Sequence, residues 1–180
     1  DDHAVALSTG AAAGGHILFG STLDGTTDCG EDLTLTAGSG NITCTGAVGA
    51  TNDLGDIQIA SAGDVTFAAA VNADSLTQSA GTGETQFDGP VALHSSGALN
   101  LAVTTDRVTI NSTIATSNGG TVTITNAGWL DIAPGADMAL DGAFLQNGAG
   151  LVQTAGDITT TGDDITWTAG VTLTDNHAVA

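Results

Sequence analysis

The chain has 180 residues and 17.5 kDa, with 26 glycines, 3% aromatic residues and 20 acidic side chains against a single basic one, Arg107, for a formal charge of −19. One cation in the whole chain excludes recognition of a phosphate backbone, which needs a set of basic groups to displace counterions, and excludes docking on anionic lipid. Mean hydropathy is nonetheless positive at +0.21, and Val, Ile and Leu are plentiful, which excludes an acidic disordered tail.

No apolar run approaches the roughly 18 residues of a bilayer span, so no membrane insertion is expected. The length suits one domain. Asp1 opens the chain without a basic stretch or an apolar leader, as expected of a processed protein or a segment of a longer one.

Taken in order, short alternating segments of two kinds follow one another. Val5-Ala6-Leu7 is of one kind, and His16-Ile17-Leu18-Phe19 of the other. The first kind returns at Leu33–Thr36, Ile57–Ile59, Leu76–Gln78, Leu99–Leu101 and Val122–Thr125. The second returns at Asn41–Cys44, Asp64–Phe67, Glu84–Phe87, Arg107–Ile110, Trp129–Ile132 and Asp164–Trp167. Period-two alternation closed by Gly, Ala, Ser, Thr or Asn reads as a strand running into a bend.

Aligned on its last residue, the second kind yields three apolar columns. They are Ile17, Ile42, Val65, Thr85, Val108, Leu130 and Ile165; then Phe19, Cys44, Phe67, Phe87, Ile110, Ile132 and Trp167; then, four residues further on, Leu23, Val48, Val71, Val91, Ile114, Ala136 and Val171. Cys44, Phe67, Phe87, Ile110 and Ile132 are spaced 23, 20, 23 and 22 residues apart. That spacing is one coil of a β-solenoid, and one coil alone cannot bury its apolar face. The fold expected is therefore all-β: a parallel β-helix of about 22–25 residues per rung and about seven to eight rungs, uncapped at its ends. A β-sandwich would instead need hairpins with two-residue turns, and would not produce aligned columns. Between Ile132 and Trp167 the spacing stretches to 35 residues, so an irregular rung is expected around 138–160.

The two ends match. Asp1–Ala6 reads Asp-Asp-His-Ala-Val-Ala and Asp175–Ala180 reads Asp-Asn-His-Ala-Val-Ala, with His3 and His177 offset by 174. The expectation is a single solenoid segment over 1–180, one superrepeat of 174 residues plus a six-residue overlap. Neither end carries a capping helix or charged run, so the stack is expected to continue into copies of itself, covalently or by end-to-end docking.

Gly63-Asp64-Val65-Thr66-Phe67, Asp32-Leu33-Thr34-Leu35-Thr36-Ala37-Gly38 and Gly119-Gly120-Thr121-Val122-Thr123-Ile124 resemble the β-strand repeats of giant bacterial surface proteins, of the filamentous-haemagglutinin-like and autotransporter-passenger kinds. The resemblance implies a right-handed parallel β-helix exported and displayed as a stalk, fibre or adhesin, hence an extracellular or cell-surface location.

Carboxylates stand just before strands at Asp56, Asp64, Glu84, Asp157 and Asp163-Asp164. One reading is a solvated acidic face that keeps a fibre soluble, with Arg107 relieving Glu84; the other is weak Ca²⁺ binding, with Asp64, Glu84, Asp163 and Asp164 as candidate ligands. No Asp-x-Asp-x-Asp-Gly loop and no Gly-Gly-x-Gly-x-Asp array accompanies them, and no other cofactor is expected. Cys29 and Cys44 are a disulfide candidate, with Cys44 in a core column and Cys29 in a turn; two free thiols are the alternative. Trp129 looks outward and is the candidate for contact with a glycan or a neighbouring fibre, whereas Trp167 is expected inside.

No enzyme is expected. The chain has no lysine, no tyrosine and no Gly-x-Ser-x-Gly motif beside His3, His16, His94 or His177. The function expected is a structural repeat unit of a surface filament or adhesin stalk, its partners being copies of itself and neither nucleic acid nor membrane. The alternative is a carbohydrate- or receptor-binding passenger domain.

Overall fold

A computed structural model describes residues 3–95 and 99–174. Among these residues every regular element is a strand and every pairing is parallel. The first four levels are β1 (His3–Ser8) and β2 (Ile17–Phe19), β3 (Glu31–Thr36) and β4 (Ile42–Cys44), β5 (Leu54–Ser61) and β6 (Val65–Phe67), then β7 (Val71–Gln78) and β8 (Glu84–Phe87). Above them each level has three strands: β9 (Val91–Leu93), β10 (Leu99–Thr105) and β11 (Arg107–Ile110); β12 (Ile114–Thr116), β13 (Thr121–Asn126) and β14 (Trp129–Ile132). The last two are β15 (Met138–Leu140), β16 (Phe144–Gln146) and β17 (Leu151–Thr154), then β18 (Ile158–Thr160), β19 (Ile165–Trp167) and β20 (Val171–Leu173).

The protein is a parallel β-solenoid of about seven coils, near 22 residues each, as the spacing predicts. One wall is a sheet of eight strands in the order β2-β4-β6-β8-β11-β14-β17-β20, and the other strands form the second sheet. Alternation aims every second side chain inward. Ile42, Val65, Thr85, Val108, Leu130 and Val152 form one internal row; Cys44, Phe67, Phe87, Ile110, Ile132 and Thr154 form the next. All are buried, most of them completely. Phe67 and Phe87 lie one above the other with ring centroids 5.5 Å apart and planes 3° from parallel.

Several polar groups inside the coil pair with one another, while Gln78 Nε2 and Asn100 Oδ1 stay unpaired. The Thr85 hydroxyl donates to Gln78 Oε1 at 2.6 Å from the facing wall. Gln146 Nε2 donates to Asn126 Oδ1 at 2.8 Å and to the Gly148 carbonyl at 3.0 Å, while its Oε1 accepts the backbone N–H groups of Thr168 and Ala169. A buried amide is costly only when left unpaired, so Gln146 fits where Ile124 sits on the level before, and Gln78, in register with Ile59, has its Oε1 paired though not its Nε2.

Four details of register differ from the sequence expectation. Asp164–Trp167 is not the seventh member of its series: β19 pairs with β16, in the other sheet. The series continues at β17, where Leu130 faces Val152 and Ile132 faces Thr154, a step of 22 residues. Val171 then stacks on Val152 rather than in the third column. Coil length decides over sequence likeness, because a strand can pair only with what lies one turn below it. With β17 in place no irregular rung exists: β15, β16 and β17 each pair with strands above and below.

The third column passes through Met138 instead of Ala136. The Pro134-Gly135 turn, closed by Ala136 N–H on the Ala133 carbonyl at 3.0 Å with Gly135 at φ +77°, adds two residues to that corner. In β10, finally, Leu101 and Val103 carry the register to Val122 and Ile124, because a bulge falls between Leu99 and Leu101 and sends Asn100 into the interior. The matched end hexamers lie largely outside the described residues, and His177 wholly so.

Candidate functional site

The acidic corner residues have a local task that their charge alone does not reveal. A strand in this coil bonds to the next through its backbone, and at the corners some N–H groups still reach a carbonyl one coil away, as Arg107 does at Gly83, while others do not. At the corner before the eight-stranded wall, side chains supply the missing acceptor. His16 Nδ1 accepts the N–H of Asn41 at 3.0 Å, Asn41 Oδ1 accepts that of Asp64 at 3.0 Å, and Asp64 Oδ1 accepts that of Glu84 at 2.9 Å. The same device recurs elsewhere: Asp24 to Thr51, Asp28 to Asp53, Asp32 to Asp56 and Asp137 to Asp157, all between 2.8 and 3.0 Å. Asp, Asn and a suitably turned His have short side chains ending in an acceptor, as do the hydroxyls of Thr116 and Ser61, which take the N–H groups of Asp141 and Gly38 in the same way.

The bond asks for an acceptor oxygen in that place, which the Asn41 amide supplies as well as the Asp64 carboxylate does. Asp64→Ala is accordingly expected to lower the melting temperature, and Asp64→Asn to leave it near that of the parent. Thermal unfolding followed by circular dichroism checks both. Equal losses in the two variants would show that the charge matters instead.

The four proposed calcium ligands are not brought together. Asp64 and Glu84 stand on adjacent levels before β6 and β8, whereas Asp163 and Asp164 precede β19 on the opposite wall. Glu84 accepts the Thr109 hydroxyl. Arg107 is in register with Glu84, yet its ion pair is with Asp106 at 3.7 Å. The expected relief of Glu84 by Arg107 is thus replaced by a hydroxyl.

Cys29 and Cys44 are both free. Cys44 points into the core from β4, and burial pushes its thiol up to about 12. Cys29 lies at the outer corner between β2 and β3, in a left-handed backbone conformation with φ 55°, so the bridge considered from sequence is not formed. Its thiol is also pushed up to about 12, first by burial, then by a hydrogen bond to Asp74 and by the negative charges of Asp74, Asp28 and Asp53. Donor atoms of Asp28, Cys29 and Asp53 all lie within 4.8 Å of one another. His94 Nε2 is 3.6 Å from Asp53 Oδ2. The sequence marks Cys29 only as half of a disulfide and relates it to none of these neighbours, although a signal existed: Cys29, Asp53, Asp74 and His94 follow at 24, 21 and 20 residues, one coil each.

At the same edge Glu31 folds back on its own turn, accepting the Thr26 hydroxyl and the N–H groups of Thr26 and Thr27. The Thr26 hydroxyl, then the Thr27 N–H, hold its carboxyl below the ordinary range.

Trp129 faces outward from β14 and is 43% exposed, with Leu151 of the next level beside it at 55%. Trp167 is half-buried against the core, packed on Phe144 at 4.7 Å between ring centroids. The remaining apolar surface gathers at the two terminal levels. At the lower one Val5 and Leu7 are exposed, and with Phe19, Leu23, Leu33 and Leu54 they line a hollow of about 170 Å³ that is the open bottom of the core. At the upper one Ile165 and Leu173 are exposed, the latter at 81%.

Comparison with family models, with curated proteins and with solved structures finds no match for this chain.

Proposed function

We propose that the chain is a structural unit of a filament or stalk displayed outside the cell, stacking end to end on copies of itself. One observation carries the reading: the interior rows run unbroken from level to level and come to the surface only at the two terminal levels. There, strand edges and apolar side chains are presented together, a surface whose natural complement is another coil of the same cross-section. The direction of stacking follows from the parallel ladder, since a lower face can extend the ladder only of an upper face. Small corner residues and an acidic exterior keep such a rod soluble along its sides.

The test is the chain itself at rising concentration, by sedimentation velocity and negative-stain microscopy. Rods that lengthen in steps of roughly 35 Å, about seven intervals of 4.8 Å, are expected. Leu7→Glu should stop the lengthening while leaving the β signature in circular dichroism unchanged. A monomer at every concentration, or growth indifferent to Leu7→Glu, would overturn end-to-end stacking.

A further inference from the structure

The outer corner at Cys29 brings a thiol and two carboxylates into one place, with an imidazole against one of the carboxylates, in a chain with almost no cation of its own. Asp28, Cys29 and Asp53 offer a sulfur and two carboxylates within 4.8 Å of one another. A nitrogen stands against one of the two carboxylates, His94 Nε2 at 3.6 Å from Asp53 Oδ2. The other ring nitrogen of His94, Nδ1, lies 3.4 Å from Ser117 Oγ, which orients the imidazole with Nε2 toward the carboxylate. That is the usual disposition of a ligating histidine, whose second nitrogen is held by a neighbour. Backbone bonds fix the scaffold: Cys29 N–H donates to the Asp53 carbonyl at 2.8 Å, His94 N–H to the Ala73 carbonyl at 3.0 Å, and Asn118 Nδ2 to the His94 carbonyl at 2.7 Å.

We propose that this corner binds a divalent late transition metal of the zinc type, with Asp28, Cys29 and Asp53 as ligands and His94 as the fourth. The donor set decides the class. Ca²⁺ and Mg²⁺ take oxygen alone, and a site built for them has no use for a thiol or an imidazole; sulfur, nitrogen and carboxylate oxygen together suit Zn²⁺ and its neighbours in tetrahedral geometry. On binding, the Cys29 thiol releases its proton to solvent and the sulfur bonds the metal as thiolate, so the hydrogen bond to Asp74 is given up and that carboxylate faces the positive charge of the metal. The ligands come from three levels, Asp28 and Cys29 from one, Asp53 from the next and His94 from the second beyond that, so the ion would clamp coils to one another. This proposal does not rest on the filament reading and survives its failure.

The test uses Co²⁺ as an optical probe of the metal-free chain at neutral pH, with Zn²⁺ as competitor. One equivalent of Co²⁺ should give a thiolate-to-metal charge-transfer band together with the intense visible bands of a tetrahedral site, and Zn²⁺ should abolish both. Cys29→Ser should remove the charge-transfer band, and His94→Ala should weaken Zn²⁺ binding by about tenfold or more. Cys44→Ser should change nothing in the spectrum. Circular dichroism of each variant confirms that the coil is intact. Absence of the charge-transfer band in the parent, its loss in Cys44→Ser with persistence in Cys29→Ser, or displacement of Co²⁺ by Ca²⁺ as readily as by Zn²⁺ would overturn the proposal.

Discussion

Phe67→Ala is expected to lower the free energy of unfolding by about 3–5 kcal/mol, measured by denaturant titration. Phe67 is 1% exposed and sits in the interior row between Cys44 below and Phe87 above. Truncation removes the transfer energy of the ring, the stacking on Phe87, and the filling of the space they share. A globular core softens such a loss by collapse. Here the walls are backbone ladders whose spacing is set by hydrogen bonds, so the two sheets cannot close over the gap without breaking register on several levels. A cost below about 1 kcal/mol would show that the coil relaxes far more than its ladders suggest.

The second large effect concerns a corner. Gly49 has φ +68°, and a Cβ placed on it would lie 2.1 Å from the Asn72 carbonyl oxygen and 3.1 Å from the Asp53 Cα. Asn72 lies one coil further along and returns a bond, its Nδ2 donating to the Gly49 carbonyl at 2.8 Å. Gly49→Ala therefore carries the left-handed conformational cost of about 1–2 kcal/mol and, in addition, forces two levels apart. Gly119 provides the comparison. Its φ is +76°, but nothing lies within 4 Å of a Cβ built there. Gly119→Ala should thus show the conformational cost alone, and the difference between the two variants in denaturant midpoint isolates the contact between levels. Equal effects would mean that the Asn72 strand yields freely.

Most of the architecture is legible in the spacing of apolar residues. Ile17 through Leu130 and Phe19 through Ile132 occupy the rows expected of them, because on those levels the inward side chains are apolar and the corners have constant length. Legibility fails where either condition lapses. Leu151-Val152-Gln153-Thr154 ends on threonine where the earlier levels have Phe, Cys or Ile, so the more apolar Asp164–Trp167 took its place in the alignment. The two extra residues at Pro134-Gly135 moved the third row to Met138, and a bulge moved Leu101 into the position expected of Leu99. Buried Gln78 and Gln146 were invisible as core residues, since what admits them is a partner on the same or the facing wall.

The chemistry was harder to read than the fold for a related reason. Acidic residues were weighed as charges, whereas Asp32, Asp64 and Asp137 act as short acceptors for N–H groups one coil later, a relation invisible until the coil length is applied to polar residues as well. Cys29, Asp53, Asp74 and His94 belong to the same lesson. Nothing within any one segment relates them, and their common spacing of one turn does.

Because the strands of each coil pair only with those of the coil before and the coil after, the rod responds to tension as a chain of links in series. A pull along the axis peels an end coil while the rest stay closed, so a local defect does not spread as it would through a shared globular core. Any bond that spans several coils at once, as the side chains around Cys29 do, acts as a brake on that peeling and shifts the yielding point to a coil that lacks one.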